Sequence, residues 1–188
     1  LNKNSINALI TERSQYTIFG MLGIIKAGYA YLPNDINTPV SRLQLLLKKL
    51  DITTSINYNY QLPNFDIKQI NIDNLPTLSN YKPTRINPND ACCVLHTSGS
   101  TGEPKAVKIL HRNLVNIFIN YFDYLQGSNC VISNINVSFD PFILETLYPL
   151  VNNIKCIMTN YEEANSINKF IKILNKYKKA TIFSVPSK

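Results

Sequence analysis

Residues 97–105 combine small, hydroxyl-bearing and glycine positions with a lysine, a combination suited to holding phosphate groups. Gly99 and Gly102 allow backbone angles and close approaches that a Cβ atom would prevent. Hydroxyl donors are supplied by Thr97, Ser98, Ser100 and Thr101. Successive N–H groups in such a turn can form a concave anion-binding surface, and Pro104 stiffens its exit by restricting φ. Lys105 then adds a positive charge at a set distance, so the stretch is predicted to hold a polyphosphate.

Two other phosphate-binding patterns do not fit this stretch. In a Walker A loop the lysine follows a glycine and precedes Ser or Thr, whereas Lys105 lies between Pro104 and Ala106. A dinucleotide fingerprint needs G-x-G-x-x-G, which occurs nowhere in the chain. The remaining alternative is a flexible Gly/Ser linker. It is disfavoured because an apolar run, residues 91–95, leads directly into the stretch.

Residues 95–106 resemble the phosphate-binding signature of the adenylate-forming enzymes, (Y/F)-T-S-G-(S/T)-T-G-x-P-K-G. That superfamily contains the amino-acid adenylation domains of nonribosomal peptide synthetases, acyl-CoA synthetases and luciferases. The chain departs from it at His96, where the family has an aromatic residue, and at Ala106, where it has glycine. The resemblance implies that Thr97 and Lys105 are catalytic. It also implies that the phosphates of ATP bind to Thr97, Ser98, Gly99, Ser100, Thr101, Gly102 and Lys105, with Mg²⁺ sharing the charge.

A second block near the start of the chain also resembles this superfamily. Residues 12–14 match its E-R-S, and residues 22–35 match G-I-L-K-A-G-G-A-Y-(V/L)-P-(I/L)-D. Pro39 and Arg42 fit the Y-P-x-x-R that follows. This form of the motif points to the amino-acid branch rather than the acyl-CoA branch. We interpret these residues as scaffold and assign them no catalytic role.

Residues 138–145, S-F-D-P-F-I-L-E, are the second informative stretch. Asp140 lies among apolar residues, where an unpaired carboxylate would be costly, so a partner is expected. The residues leave open whether that partner is a bound ammonium group or a helix N-terminus. The stretch resembles the family's S-F-D-x-x-x-x-E, which implies that Asp140 holds the α-amino group of an amino acid and that Glu145 is structural. The same resemblance implies further substrate contacts at Phe139, Pro141, Leu144 and Ser184.

Strand and helix patterns alternate along the chain. Apolar runs predict strands at residues 6–10, 29–32, 55–58, 67–72, 91–95, 107–110, 130–132, 154–158 and 180–185. Helical periodicity predicts helices at residues 15–27, 39–50, 111–125, 144–151 and 167–177. Pro33 is expected to stop the second strand, and Pro39 to open the second helix. The pattern predicts an α/β fold with a layered, largely parallel sheet flanked by helices, which the resemblance places in the N-terminal core subdomain of an adenylate-forming enzyme.

Composition indicates a globular protein, with 45% hydrophobic and 16% charged residues. The net charge of +7 is spread along the chain without a run of five basic residues, so nucleic-acid binding is not expected. The four cysteines form no C-x-x-C pair, no metal-ligand set is assigned, and a reducing cytoplasm is predicted. No signal peptide and no apolar run of membrane-spanning length occurs, so membrane association is not expected.

The resemblance implies a complete reaction. An amino-acid carboxylate would attack the α-phosphate of ATP, giving aminoacyl-AMP and pyrophosphate. The aminoacyl group would pass to a phosphopantetheine thiol on a carrier domain, beside condensation domains of the same synthetase. Residues 1–188 are expected to be the N-terminal portion of an adenylation domain within a multidomain polypeptide. The family's adenine, ribose and C-terminal lysine motifs would lie beyond Lys188, so this portion alone is expected to be inactive.

Three alternatives to amino-acid activation remain at this point. An acyl- or aryl-CoA ligase would share the phosphate loop but would not need Asp140. An enzyme of the aminoadipate-reductase type would keep the adenylation domain and add a reductase domain downstream. A degenerate domain could serve as a scaffold inside a larger synthetase, without ATP binding.

Overall fold

The computed structural model describes residues 5–63, 65–76, 80–82, 84–97 and 105–184. The strands are β1 Ile6–Thr11, β2 Ala30–Asp35, β3 Thr54–Asn57, β4 Lys68–Asn71, β5 Ala91–Thr97, β6 Lys105–Leu110, β7 Cys130–Ser133, β8 Lys155–Met158 and β9 Ala180–Ile182. The helices are α1 Gln15–Lys26, α2 Val40–Lys49, α3 His111–Asn120, α4 Pro141–Val151, α5 Tyr161–Asn165 and α6 Ile167–Lys176. Over these described ranges no helix combines the length and apolar character that crossing a bilayer requires.

The described strands form two sheets. The larger has the order β4-β3-β1-β2-β5-β6 and is parallel except for the antiparallel pair β5–β6. The smaller has the order β8-β7-β9 and is parallel throughout. The predicted α/β architecture, with a largely parallel sheet flanked by helices, is confirmed. The division into two sheets was not predicted, because apolar patterns mark strands without saying which strands pair.

The core lies on both faces of the larger sheet. Leu9 of β1 points to one face, where it packs with Met21 of α1 and Phe142 of α4. Its neighbour Ile10 points to the other face and packs with Leu43 of α2, as the two-residue period of a strand requires. Since α4 also contacts β7 and β8, the same core joins the two sheets.

The end of α1 follows the sequence prediction closely. Gly28 has φ +84°, a left-handed conformation that glycine adopts without strain. The N–H of Gly28 bonds to the carbonyl of Ile25 at 2.9 Å, and the N–H of Tyr29 bonds to that of Ile24 at 3.1 Å. These two bonds form a Schellman motif, which satisfies carbonyls that the helix end leaves free.

Two predictions about prolines are wrong in detail. Pro33 does not stop the second strand, since β2 continues to Asp35 and Pro33 is in register with Leu9 of β1. The ladder between β2 and β5 pairs only Tyr31 with Cys93, so at Pro33 the strand has an unpaired side that tolerates a missing N–H. The second helix begins at Val40, with Pro39 as the residue before it.

The cysteines are thiols within the packed structure. Cys92 and Cys93 are buried in β5, and Cys92 Sγ donates to the Ile109 carbonyl at 3.2 Å. Burial raises the pKa of Cys92 to about 12. Burial also raises the pKa of Cys156 to about 12. Such thiols are protonated at neutral pH and are poor nucleophiles.

Candidate functional site

The antiparallel pair β5–β6 carries the two ends of the predicted phosphate loop. Its register places Thr97 opposite Lys105, and both side chains are exposed. The fold therefore brings the two residues predicted to be catalytic side by side, at the loop end of a hairpin. The predicted phosphate contacts between them lie outside the described residues, namely Ser98, Gly99, Ser100, Thr101 and Gly102. β6 is antiparallel because this short connection cannot return the chain to a parallel start.

The two departures from the family signature face each other in this hairpin. His96 of β5 is in register with Ala106 of β6. Ala106 lies in regular strand geometry and is not among the residues with positive φ. Glycine is therefore not required at this position, and alanine leaves the chain geometry after Lys105 undisturbed.

A cleft of about 640 Å³ runs beside the base of the phosphate loop. Thr97 and His96 line it from β5, and Arg42 lines it from α2. Phe139 and Asp140 line it from the turn before α4. The cleft therefore joins Thr97, a predicted phosphate contact, to Asp140, the predicted amine contact, which lies more than forty positions later in the sequence.

Asp140 immediately precedes α4, at its N-cap position, but its side chain makes no capping hydrogen bond. Its carboxylate has no hydrogen bond or ion pair with any described residue. The apolar neighbours predict a partner for this carboxylate, but Asp140 is exposed and no described residue supplies one. Phe142 and Ile143 take the apolar positions of the helix and point into the core instead. The carboxylate is therefore hydrated and available to a ligand in the cleft.

Asp140 also borders two further clefts. One of about 500 Å³ lies between the sheets and is lined by Phe139, Asp140 and Pro141, together with Arg13 and Asp35. The other, of about 330 Å³, is lined by Asp140, Pro141 and Leu144 of α4 and by side chains of α3.

Four of the five predicted substrate contacts thus gather at the start of α4: Phe139, Asp140, Pro141 and Leu144. Ser184 is not brought together with them. It lies two residues beyond β9, is exposed and lines none of the three clefts.

Arg13 holds the segment that leads to Asp140. Only 7% of its surface is exposed, and it lies two residues after the end of β1. Its Nε donates to the Thr159 carbonyl at 3.0 Å and its Nη2 to the Ser133 carbonyl at 2.6 Å, while Nη1 donates to the carbonyl of Ile135. Burial lowers the pKa of this guanidinium, and the nearby Glu145 carboxylate partly offsets that effect. The residue therefore connects the larger sheet to the ends of β7 and β8.

Glu145 of α4 binds the same segment by accepting hydrogen bonds from that segment's donors. Its Oε2 accepts from Ser133 Oγ at 3.0 Å and from the N–H groups of Asn134 and Ile135 at 2.9 and 2.8 Å. Burial raises the pKa of this carboxyl, and the three hydrogen bonds and Arg13 oppose the shift. Arg13 and Glu145 thus bind the carbonyls and the N–H groups of one turn, which is a structural role, as predicted for Glu145.

Arg13 is scaffold, as predicted, but the sequence did not indicate which residues it holds. Its partners lie 120 or more positions away, so no local pattern could indicate them. One signal was available: Arg13 comes shortly after the carboxyl end of a parallel strand, where the ligand sites of open α/β sheets lie.

A profile of the AMP-binding enzyme family matches residues 1–188, the whole of this sequence. The chain belongs to the AMP-binding enzyme family. Bacitracin synthase 1 of Bacillus licheniformis is 31% identical over 97% of this chain, and cyclosporin synthetase simA of Tolypocladium inflatum is 33% identical over 86%. The chain spans only 4% and 1% of the lengths of these two relatives.

Solved structures of AMP-binding enzymes share the fold of this chain. A four-domain nonribosomal peptide synthetase, holo-AB3403 bound to AMP and glycine, matches all of the chain with a TM-score of 0.85 and 22% identity, over 14% of its own length. A fatty acid AMP ligase from Legionella pneumophila matches 98% of the chain with a TM-score of 0.85 and 21% identity, over 35% of its own length. The fold is therefore that of the N-terminal part of an adenylate-forming enzyme. Because both structures score equally, the fold does not choose between amino-acid and acyl substrates.

Proposed function

We propose that the intact protein activates an amino acid as its aminoacyl adenylate. The observation that carries this proposal is the cleft that joins Thr97, at the base of the phosphate loop, to the unpaired carboxylate of Asp140. An ammonium group bound to Asp140 would leave the substrate's own carboxylate free to reach the α-phosphate of ATP. Its oxygen would form a bond to phosphorus, and pyrophosphate would leave with the electron pair of the broken P–O bond.

The residues at the loop base suit a polyphosphate ligand. Lys105 and Thr97 are exposed neighbours across the hairpin, so an ammonium group and a hydroxyl donor are available together. Catalysis of phosphoryl-type transfer rests largely on positioning and on neutralising charge, which is the role we assign to Lys105. Mg²⁺ would share the charge of the phosphate oxygens.

Asp140 favours an amino acid over an acyl substrate. A fatty or aryl acid has no ammonium group, and an unpaired carboxylate beside its chain would repel the substrate's own carboxylate. The acyl ligase reading is the second candidate, because the fatty acid AMP ligase matches the fold as well as the synthetase does. The relatives named as synthetases support transfer to phosphopantetheine on a carrier domain, next to condensation domains.

Amino-acid-dependent ATP–pyrophosphate exchange by the intact parent polypeptide tests the proposal. Asp140→Asn should lower kcat/KM for the amino acid by about 100-fold, since it removes one partner of a charged pair. Asp66→Asn is the matched control, because Asp66 is exposed and lines none of the three clefts. The wild-type exchange should depend on one pool of amino acids.

Two results would overturn this reading. Exchange supported by carboxylic acids without an amino group, and insensitive to Asp140→Asn, would show an acyl ligase. Absence of ATP binding by the intact protein would show a scaffold domain.

A further inference from the structure

Arg42 of α2 lies near the base of the phosphate loop. It sits in the first turn of α2, is exposed, and lines the same cleft as Thr97. Among the described residues that line this cleft, Arg42 supplies the guanidinium and Asp140 the carboxylate. No described carboxylate lies within ion-pair distance of Arg42. Its charge is therefore available to an anion in the cleft.

His96 holds the guanidinium of Arg42 in place. Arg42 Nη2 lies 3.3 Å from His96 Nδ1. Arginine can only donate, so Nδ1 must be the acceptor, and the imidazole proton then sits on Nε2. The Nε2 atom is buried and has no hydrogen-bond partner among the described residues. One end of the ring thus lies inside the protein, while the other end contacts Arg42.

This contact depends on the residue by which the chain departs from its family signature. A Phe at position 96 would have no ring nitrogen to accept from Arg42. Because His96 directly precedes Thr97, the guanidinium is held next to the first residue of the phosphate loop.

We propose that Arg42 binds the pyrophosphate end of the nucleotide, with His96 as the residue that positions it. The inference rests on the proposed function in one respect, that the loop following Thr97 binds the nucleotide. A planar guanidinium with several donors suits two phosphate oxygens at once, which Lys105 alone cannot match. The contact is to the β- and γ-phosphates, so it should act on ATP and pyrophosphate and not on AMP.

The test measures dissociation constants of ATP, pyrophosphate and AMP for the intact parent polypeptide by calorimetric titration. Arg42→Gln should weaken ATP and pyrophosphate binding about tenfold and leave AMP binding and the unfolding temperature unchanged. Arg85→Gln is the matched control, since Arg85 is exposed and lines none of the clefts. His96→Phe should weaken ATP binding about threefold, whereas His96→Asn, which keeps an acceptor, should restore it. In the exchange assay, Arg42→Gln should raise KM for ATP more than it lowers kcat.

The outcomes separate this inference from the proposed function. Unchanged ATP and pyrophosphate binding in Arg42→Gln would overturn the inference, even if exchange proceeds. Weakened amino-acid binding with unchanged ATP binding would also overturn it, by showing that Arg42 binds the substrate carboxylate. Arg42-dependent ATP binding in a protein that exchanges with no amino acid would support the inference and refute the proposed function. A wild-type protein that binds no ATP would overturn both.

Discussion

Arg13 and Glu145 carry opposite buried charges, and both form hydrogen bonds with the turn that follows β7. Arg13 binds the carbonyls of Ser133 and Ile135, and Glu145 binds the N–H groups of Asn134 and Ile135. The turn is thereby held from both sides before the chain reaches Asp140. At the scale of single residues, the proposed substrate site depends on these contacts as well as on the carboxylate of Asp140.

Removing the Glu145 acceptor should destabilise the protein. Glu145→Ala leaves three buried donors without a partner and leaves Arg13 uncompensated, so we expect a loss of about 3 kcal/mol in the free energy of unfolding. Glu145→Gln keeps one acceptor oxygen, so its loss should be less than half as large. Urea denaturation measures both values. Equal losses in the two variants would contradict the role given to the hydrogen bonds.

The free energy of unfolding should depend on pH because Glu145 is buried. Burial raises the pKa of this carboxyl in the folded protein. Folding therefore favours the protonated form of the carboxyl. The stability that this form contributes is fully present below the pKa of the unfolded state and is lost as pH rises through the pKa of the folded state. Wild type should accordingly lose stability relative to Glu145→Gln as pH rises from acid through this range. Urea denaturation at several pH values measures the difference in free energy of unfolding between the two proteins. A wild type that gains stability relative to Glu145→Gln as pH rises would contradict the prediction.

The sequence predicted which residues lie around Asp140 better than it predicted how exposed Asp140 is. The short motif around it identified the residue and its neighbours Phe139 and Pro141, which the structure places at one cleft junction. Its exposure was not predictable from apolar neighbours, because those residues point into the core from the helix that starts after it. The partners of Arg13 were not predictable because they lie in distant parts of the chain.

At the scale of elements, local signals were sufficient where a single segment decides the structure. The periodic apolar residues of α1 and the glycine after it predicted a helix and its end, and both are present. Strand direction was harder, because β6 has the apolar pattern of any short strand. Its antiparallel pairing follows from the short connection to β5, which is a constraint of chain length rather than of residue type.

Gly28→Ala should destabilise the end of α1. Gly28 has φ +84°, and a Cβ there would lie 2.9 Å from Thr84 Cγ2. Strain and contact together should cost about 1–2 kcal/mol in the free energy of unfolding. Gly23→Ala is the control within the same helix: no atom lies within 4 Å of its Cβ, so it should instead stabilise by about 0.5–1 kcal/mol. Urea denaturation of the two variants checks both signs, and a stabilising Gly28→Ala would refute the argument.

At the scale of the whole molecule, the smaller sheet has an incompletely covered outer layer within the described residues. None of the described side chains of α5 or α6 is buried. Ile167 of α6 is 79% exposed and Tyr161 of α5 is 58% exposed. A helix with a strongly apolar face is normally packed against another element. The chain spans only 4% and 1% of the lengths of two relatives, and we propose that another part of a longer polypeptide covers this layer.

Residues 1–188 alone should therefore catalyse no measurable exchange. The clefts around Asp140 are open, and a site that does not exclude water loses much of the electrostatic stabilisation on which phosphoryl-type transfer depends. We expect the intact polypeptide to exceed this portion by at least about 1,000-fold in ATP–pyrophosphate exchange, a factor that corresponds to about 4 kcal/mol of transition-state stabilisation. The comparison measures ATP–pyrophosphate exchange by both proteins. Circular dichroism confirms that the shorter protein is folded. A folded portion that exchanges within tenfold of the intact protein would show that the described clefts already form a sufficient active site.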